Sequence, residues 1–311
     1  MYLKKYIVLI VYIIVFNGCI FSDFNKTESQ LANKKDFFSY KKNNLLLESK
    51  QNTGTIISLS SNIFSQANIR KGFYQSFVNS DDIPFGLFFL KKYDPNKKII
   101  LFIHGISGSP IQFSDIINNI NKNNFQVLVA FYPSGFRLED LSNYLNNLLV
   151  KLQKKLKFQK VSIIAHSMGG LISKSIIDKQ IKSSDLMIDT FISISTPWGG
   201  HKAANFGIKY TPIIIPVWYD MAQGSEFLHK VYKTTYPKNL NHYLIFGFKG
   251  KSFTAGGNSD GVVTINSQLR LIAQNNANIV KGYNENHTSI LKNLNLINFI
   301  NQILKTNNKL H

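Results

Sequence analysis

Hydrophobic and polar positions alternate along this chain in two rhythms that take turns. Ile99 to Ile103 is a short unbroken apolar run, the pattern of a strand buried on both faces of a parallel sheet. Ile111, Ile116, Ile117 and Ile120 then follow at helical spacing, and Phe125 to Phe131 reads as the next strand. From Leu138 to Leu156 the apolar positions Leu141, Tyr144, Leu145, Leu148, Leu149 and Leu152 predict an amphipathic helix with lysines on its outer face. Val161 to Ile164 is again strand-like and runs through a sharp turn into a helical pattern at Leu171, Ile172 and Ile176. Met187 to Ile194, Tyr243 to Phe248 and Ile279-Val280 read as further strands, and Leu291 to Leu304 as a closing helix. Strand-helix alternation of this kind predicts an α/β fold, a mostly parallel sheet with helices on both faces and its active loops at the carboxyl ends of the strands.

Two stretches depart from the alternation. Ahead of Ile99, Thr55 to Leu59 and Gly72 to Lys91 read as β-rich, with FGLFFLKKY a strand that leads to the turn Asp94-Pro95-Asn96. Between about 197 and 240 the rhythm breaks and aromatics crowd in: Trp198, Phe206, Tyr210, Trp218, Tyr219, Phe227, Tyr232 and Tyr236. This is read as a cap inserted over the sheet, with most of its aromatics packed onto the core.

The turn after Val161 to Ile164 carries the chemistry. In Ala165-His166-Ser167-Met168-Gly169 a serine stands between a buried strand and a helix, with small residues two before and two after it. Small residues let strand and helix backbones pass closely, and a serine at the tip of such a turn is exposed, with the next N–H, that of Met168, free at a helix N-terminus. His104-Gly105 ends the first buried strand, so the N–H of Ile106 can point at a bound carbonyl oxygen. A serine hydroxyl needs a base, and the base needs an orienting acid. His201 and His229 fall in the cap, His242 opens a strand and His311 is terminal, which leaves His287 in the loop after the last strand. Asp260, in the Gly-rich loop after a strand, is the acid expected to orient it, with Glu285 as the fallback.

The ordered series IILFIHGISGS, IIAHSMGG, STPWGG, DMAQGSEFL, SDGVV and NHTSIL resembles α/β-hydrolase lipases and esterases, near the glycosylphosphatidylinositol inositol-deacylase-like and lecithin–cholesterol-acyltransferase-like branches. The chain order Ser, Asp, His is also that of the α/β-hydrolases. The resemblance implies an α/β-hydrolase fold, Ser167 as nucleophile, Asp260 as acid, His287 as base, and the N–H groups of Ile106 and Met168 as oxyanion hole. It implies ester hydrolysis through an acyl-enzyme, with no metal or organic cofactor. An acyltransferase with the same residues, and a surface-displayed binding protein on a hydrolase scaffold, stay open beside it.

The amino end bears on location. MYLKKY precedes an apolar run, Ile7 to Phe16, that is too short for a membrane span of about 20 residues and fits the core of a signal peptide over residues 1–18. Cys19 follows Gly18 directly and is the sole cysteine, an arrangement that resembles a bacterial lipobox, although Phe16 and Asn17 stand where Leu and a small residue are usual. Residues 19–54 are polar, rich in Lys, Asn and Ser, and read as a tether; the hydrolase domain is expected over 55–311. With 36 Lys and Arg against 17 Asp and Glu, the net charge is +19. The lysines are dispersed and no stacking platform accompanies them, so the charge is read as solubility together with attraction to an anionic membrane surface, and not as a nucleic-acid site. The expected partners are a lipid or other acyl ester and a membrane surface, with the protein exported and anchored in the cell envelope through lipidated Cys19.

Overall fold

The computed structural model describes residues 52–74, 85–183, 186–211, 214–251 and 257–309. The signal-peptide and lipobox readings, and Cys19, lie outside the described residues. One eight-stranded sheet, in the order β1-β2-β4-β3-β5-β6-β7-β8, organises the domain. Its strands are β1 (Asn52–Ile56), β2 (Gly86–Phe89), β3 (Lys98–Ile103), β4 (Phe125–Phe131), β5 (Lys160–His166), β6 (Met187–Ile194), β7 (Asn241–Gly247) and β8 (Ile279–Tyr283). The described helices are α1 (Gln66–Tyr74), α2 (Ser114–Asn119), α3 (Leu138–Leu156), α4 (Met168–Ser183), α5 (Lys202–Tyr210), α6 (Val217–Met221), α7 (Glu226–Val231), α8 (Ile265–Gln268), α9 (Leu271–Asn275) and α10 (Leu294–Lys309).

The period-2 pattern of the buried strands divides their side chains between two cores. Ile99, Leu101 and Ile103 of β3 enter the same cluster as Leu141, Leu145, Leu148 and Leu152 of α3 and Leu171, Ile172 and Ile176 of α4. Ile100 and Phe102 point the other way, into a cluster with Ile116 and Ile117 of α2 and Leu296, Ile297 and Ile300 of α10. A strand whose two faces are both covered has no reason to alternate with polar residues, which is why IILFI is continuous. At the amino ends of the strands, Lys98 Nζ lies 2.5 Å from Asp189 Oδ2, an ion pair almost wholly out of solvent.

Strands β3 to β8 are all parallel, but β2 pairs antiparallel with β4 and β1 pairs parallel with β2. Thus β1 and β2 run against the other six. Asn52 pairs with Gly86, and Gly86 with Phe131 at the carboxyl end of β4, so the chain enters the domain at the carboxyl edge of the sheet. The strand predicted at Thr55 begins at Asn52, and the β-rich reading from Gly72 meets instead the last turn of helix α1, followed after residues 75–84 by β2.

Between β6 and β7 stand α5, α6 and α7. Trp198, Val217, Met221, Phe227, Leu228 and Val231 of this segment join the α3/α4 core. Gly207 of α5 lies flat on the Trp218 ring, where an added Cβ would come within 2.7 Å of it. Trp198 and Phe227 are buried and Trp218, Tyr232 and Tyr236 pack against the core, so most of these aromatics turn inward as expected, while Phe206, Tyr210 and Tyr219 stay in solvent. Asp220, 1% exposed, anchors α6: its carboxylate accepts from Arg137 Nε at 2.9 Å, Arg137 Nη2 at 2.6 Å and the N–H of Leu138 at 2.6 Å.

Candidate functional site

The carboxyl edge of β5 turns abruptly into α4 at Ser167. Ser167 holds φ = 54°, a left-handed conformation that a non-glycine residue adopts only when its surroundings enforce it. Its N–H donates to Ile194 O at 2.8 Å, and its carbonyl accepts from the N–H of Gly170 at 2.9 Å. The small neighbours are obligatory. A Cβ on Gly169 would lie 2.3 Å from Ile103 O and 2.5 Å from His104 O, and one on Gly105 would lie 2.9 Å from Ser167 Cβ. Strand, turn and helix therefore close up around the serine in the way the spacing of Ala165 and Gly169 predicts.

Asp260 and His287 arrive from the loops after β7 and β8. His287 Nδ1 lies 2.7 Å from Asp260 Oδ2, and the N–H of His287 donates to Asp260 O at 2.8 Å. The other carboxylate oxygen, Oδ1, accepts from the N–H groups of Val262 at 3.0 Å and Val263 at 2.7 Å. Burial alone would raise the Asp260 pKa; the His287 charge and hydrogen bond, together with the two valine N–H groups, outweigh it and hold the carboxyl below its usual range. An Nδ1–H committed to a carboxylate leaves Nε2 as the basic nitrogen of the ring. Glu285 is turned elsewhere: its carboxylate accepts from Ser289 Oγ at 2.5 Å and Asn293 Nδ2 at 2.9 Å. Those two bonds hold the Glu285 carboxyl below its usual range.

Ile106 sits in a tight turn closed by the N–H of Gly108 on Gly105 O at 3.1 Å, and the next N–H, that of Ser107, donates to Ser134 Oγ at 2.9 Å. No hydrogen bond among the described residues uses the Ile106 N–H. Met168 opens α4, where the first N–H groups have no acceptor within the helix. Ser167 Oγ likewise makes no hydrogen bond among the described residues, and it is 4% exposed.

Several residues of this neighbourhood were not singled out by sequence. Val262 and Val263 contribute through their backbones, which leaves no side-chain signal. His201, assigned to the cap by position, donates from Nε2 to Val262 O at 2.9 Å and so reaches the Asp260 loop. His166, the residue before Ser167, donates from Nε2 to His287 O at 2.8 Å and accepts at Nδ1 from Gln112 Nε2 at 3.0 Å. His104 is wholly buried, with Nδ1 on Gly105 O at 2.8 Å and its ring stacked on Tyr132 at 4.1 Å. Among the described residues no cluster of three or more His, Cys, Asp and Glu could hold a metal ion, and no helix is long and apolar enough to cross a membrane.

Comparison with known proteins agrees with this architecture. A family model described as alpha/beta hydrolase of unknown function (DUF915) matches residues 118–307, well over half of the chain. Among solved structures, the mature form of the Bacillus licheniformis lipase BlEst2 superposes with a TM-score of 0.55 at 20% identity, covering 69% of this chain and 96% of that one. Its propeptide form gives a TM-score of 0.50 at 21% identity, over 65% of this chain and 49% of that one. At such identities the likeness is one of fold. No curated protein sequence matches the chain. The sheet order, the helices on both of its faces and the span of the family match together make this chain a member of the α/β-hydrolase family DUF915.

Proposed function

We propose that this protein is a serine hydrolase of carboxylic esters, most suited to esters of lipids, with Ser167, His287 and Asp260 as its catalytic triad. The observation that carries the reading is the buried Asp260–His287 contact of 2.7 Å on the sheet edge that also carries Ser167 in its left-handed turn. In the proposed reaction His287 Nε2 takes the Ser167 proton as Oγ attacks the ester carbonyl, and the oxyanion forms against the N–H groups of Ile106 and Met168. One such donor is worth about 3 kcal/mol of the barrier. His287 then protonates the leaving alcohol, and water repeats the attack on the acyl-enzyme with His287 again as base. Asp260 holds the imidazole tautomer and stabilises the imidazolium.

The lipid preference is supported by the apolar surface of the cap, where the exposed rings of Phe206 and Tyr210 lie 4.5 Å apart, and by the net charge of +19, which suits anionic headgroups. Kinship with the deacylase-like and acyltransferase-like branches is supported by the motif series. Export, and anchoring through a lipidated Cys19, belong to the same proposal; mass spectrometry of the mature protein's first residue tests them, and an unmodified Cys19 overturns the anchor.

The deciding experiment is turnover of nitrophenyl esters of graded acyl length, with Ser167→Ala and His287→Ala alongside. The expected result is a rate that rises with acyl length and falls about ten-thousand-fold in either variant. A folded protein that neither turns over any ester nor reacts at Ser167 with a fluorophosphonate would overturn the reading in favour of a binding protein.

A further inference from the structure

The imidazole beside the serine takes no part in the chemistry above, yet it is the point where three segments of the site meet. His166 is 4% exposed, and both of its ring nitrogens are engaged. A carbonyl oxygen can only accept, so the 2.8 Å contact with His287 O requires the proton on Nε2. Nδ1 is then the acceptor, and it faces the amide nitrogen of Gln112 at 3.0 Å. The two contacts agree on one neutral tautomer. Burial, and behind it the neighbouring His287, push the His166 pKa down to about 3, so this state persists across ordinary pH. Gln112 belongs to the short 3-10 turn Pro110–Phe113, on the loop that follows β3 and carries Ile106. It can lie across that loop because Gly108 has no side chain: a Cβ there would come within 2.5 Å of Gln112 Oε1.

We infer that His166 is a positioning residue of the site, held by Gln112 as its Nε2–H tautomer and fixing the backbone carbonyl of His287 relative to Ser167. The inference rests on the triad reading given above. Without this contact His287 is tied by hydrogen bonds only to Asp260, through its N–H and its Nδ1. Both ties refer the imidazole to the acid loop, and neither refers it to the serine. Among the described residues the His166–His287 bond is the only hydrogen bond that joins the loop after β8 to the turn at Ser167. The His166 and His287 rings also lie against each other in a tilted arrangement, 4.7 Å between centroids at 48°. One side chain thus registers the base loop, the nucleophile turn and the oxyanion loop against each other.

The test uses three variants on a short-chain nitrophenyl ester. His166→Phe keeps a ring but has no donor; His166→Gln restores an N–H at nearly the reach of Nε2; Gln112→Leu removes the lock on the tautomer. A misplaced base costs roughly 30- to 100-fold in kcat with KM within about twofold, so His166→Phe is expected to show that split and His166→Gln to recover most of the loss. Gln112→Leu should cost roughly fivefold, and combining it with His166→Phe should add nothing, because both act through one contact. Nitrogen-15 spectra of the histidine side chains should show His166 as the Nε2–H tautomer in the parent protein and as a mixture in Gln112→Leu. Parent-like kcat in His166→Phe, failure of glutamine to restore it, or an Nδ1–H tautomer in the parent overturns the inference. If His166→Phe does not fold, the glutamine and Gln112 variants with the spectra decide. Ester turnover that survives Ser167→Ala and His287→Ala would instead indict the triad, and the tautomer measurement then judges the clamp by itself.

Discussion

Acid should unfold this protein earlier than its carboxylates alone would. Three histidines, His104, His166 and His242, are at most 4% exposed, and burial pushes their pKa values from the ordinary 6.5 to about 4, about 3 and about 3. Each is neutral in the fold and becomes charged in the unfolded chain below 6.5. A lowered folded pKa means that the stability is present in full above 6.5 and is lost as pH falls toward the folded value. A unit below 6.5, each group removes about 1.4 kcal/mol per pH unit, so the three together remove on the order of 5 kcal/mol between about pH 6.5 and about pH 5. That is comparable to the whole stability of many domains, about 5–15 kcal/mol. Asp260, whose pKa is depressed, adds its loss only at lower pH, whereas His201, whose pKa burial also lowers, adds to the loss in this window. Urea unfolding followed by tryptophan fluorescence at several pH values across this range measures the slope directly. His242→Phe, which can keep the stack on Phe191 seen at 4.8 Å, should reduce the slope by roughly a quarter to a third. A urea midpoint that stays flat from about pH 7 to about pH 5 would refute the claim that these rings are buried neutral.

Further outcomes follow from the geometry. Asp260→Asn should keep the fold, since an amide oxygen can still meet the Val262 and Val263 N–H groups, but its NH2 would confront the His287 Nδ1–H; ester turnover should fall about ten-thousand-fold, and a loss under tenfold would contradict the acid's role. Asp220→Ala strips the acceptor from Arg137 and from the Leu138 N–H, and should cost about 3 kcal/mol by chemical denaturation. Gly169→Ala forces a Cβ to 2.3 Å from the backbone oxygen of Ile103, which cannot yield; the variant should lose fluorophosphonate labelling or fail to accumulate folded, and a fully reactive Gly169→Ala would mean that the strand and helix pass farther apart.

The parts of this molecule that could be read from sequence are those in which one local rule decides. IILFI is continuous because both faces of β3 are covered, and the Leu138 to Leu156 stripe sits on one core; period alone finds both. The turn at Ser167 was legible because close backbone passage leaves a mark in residue size at fixed offsets. Asp260 and His287 could be nominated as partners by their positions along the chain, although the contact joins residues 27 apart across two loops and its geometry leaves no local mark. Contacts of still longer range left no trace at all: Gln112 and His166 are 54 positions apart, and nothing local to either predicts that an amide will meet an imidazole. Elsewhere a local rule misled. The stretch from Gly72 looked β-rich because its aromatics outweighed the weaker helical spacing of Gln66 to Tyr74, where only Ile69, Gly72 and Phe73 are buried. Most of the aromatics between residues 197 and 240 turn inward as hydrophobicity predicts, and Tyr210, 49% exposed, is an exception because α5 rests on Ala204 and Gly207 and turns its larger rings outward.

The direction of β1 has a practical corollary for anyone who immobilises this protein. Its first residue, Asn52, lies at the same edge as Ser167, whereas α10 runs back to the opposite edge, where Asn307 Nδ2 meets Thr190 Oγ1 at 3.0 Å near the start of β6. A bead or carrier coupled just ahead of Asn52 therefore stands at the edge that carries Ser167, the side of substrate approach under the proposed function, and one coupled just behind α10 stands at the opposite edge. Bulky esters should feel the difference and small ones should not, so the ratio of their rates on the two supports reports which way the molecule faces.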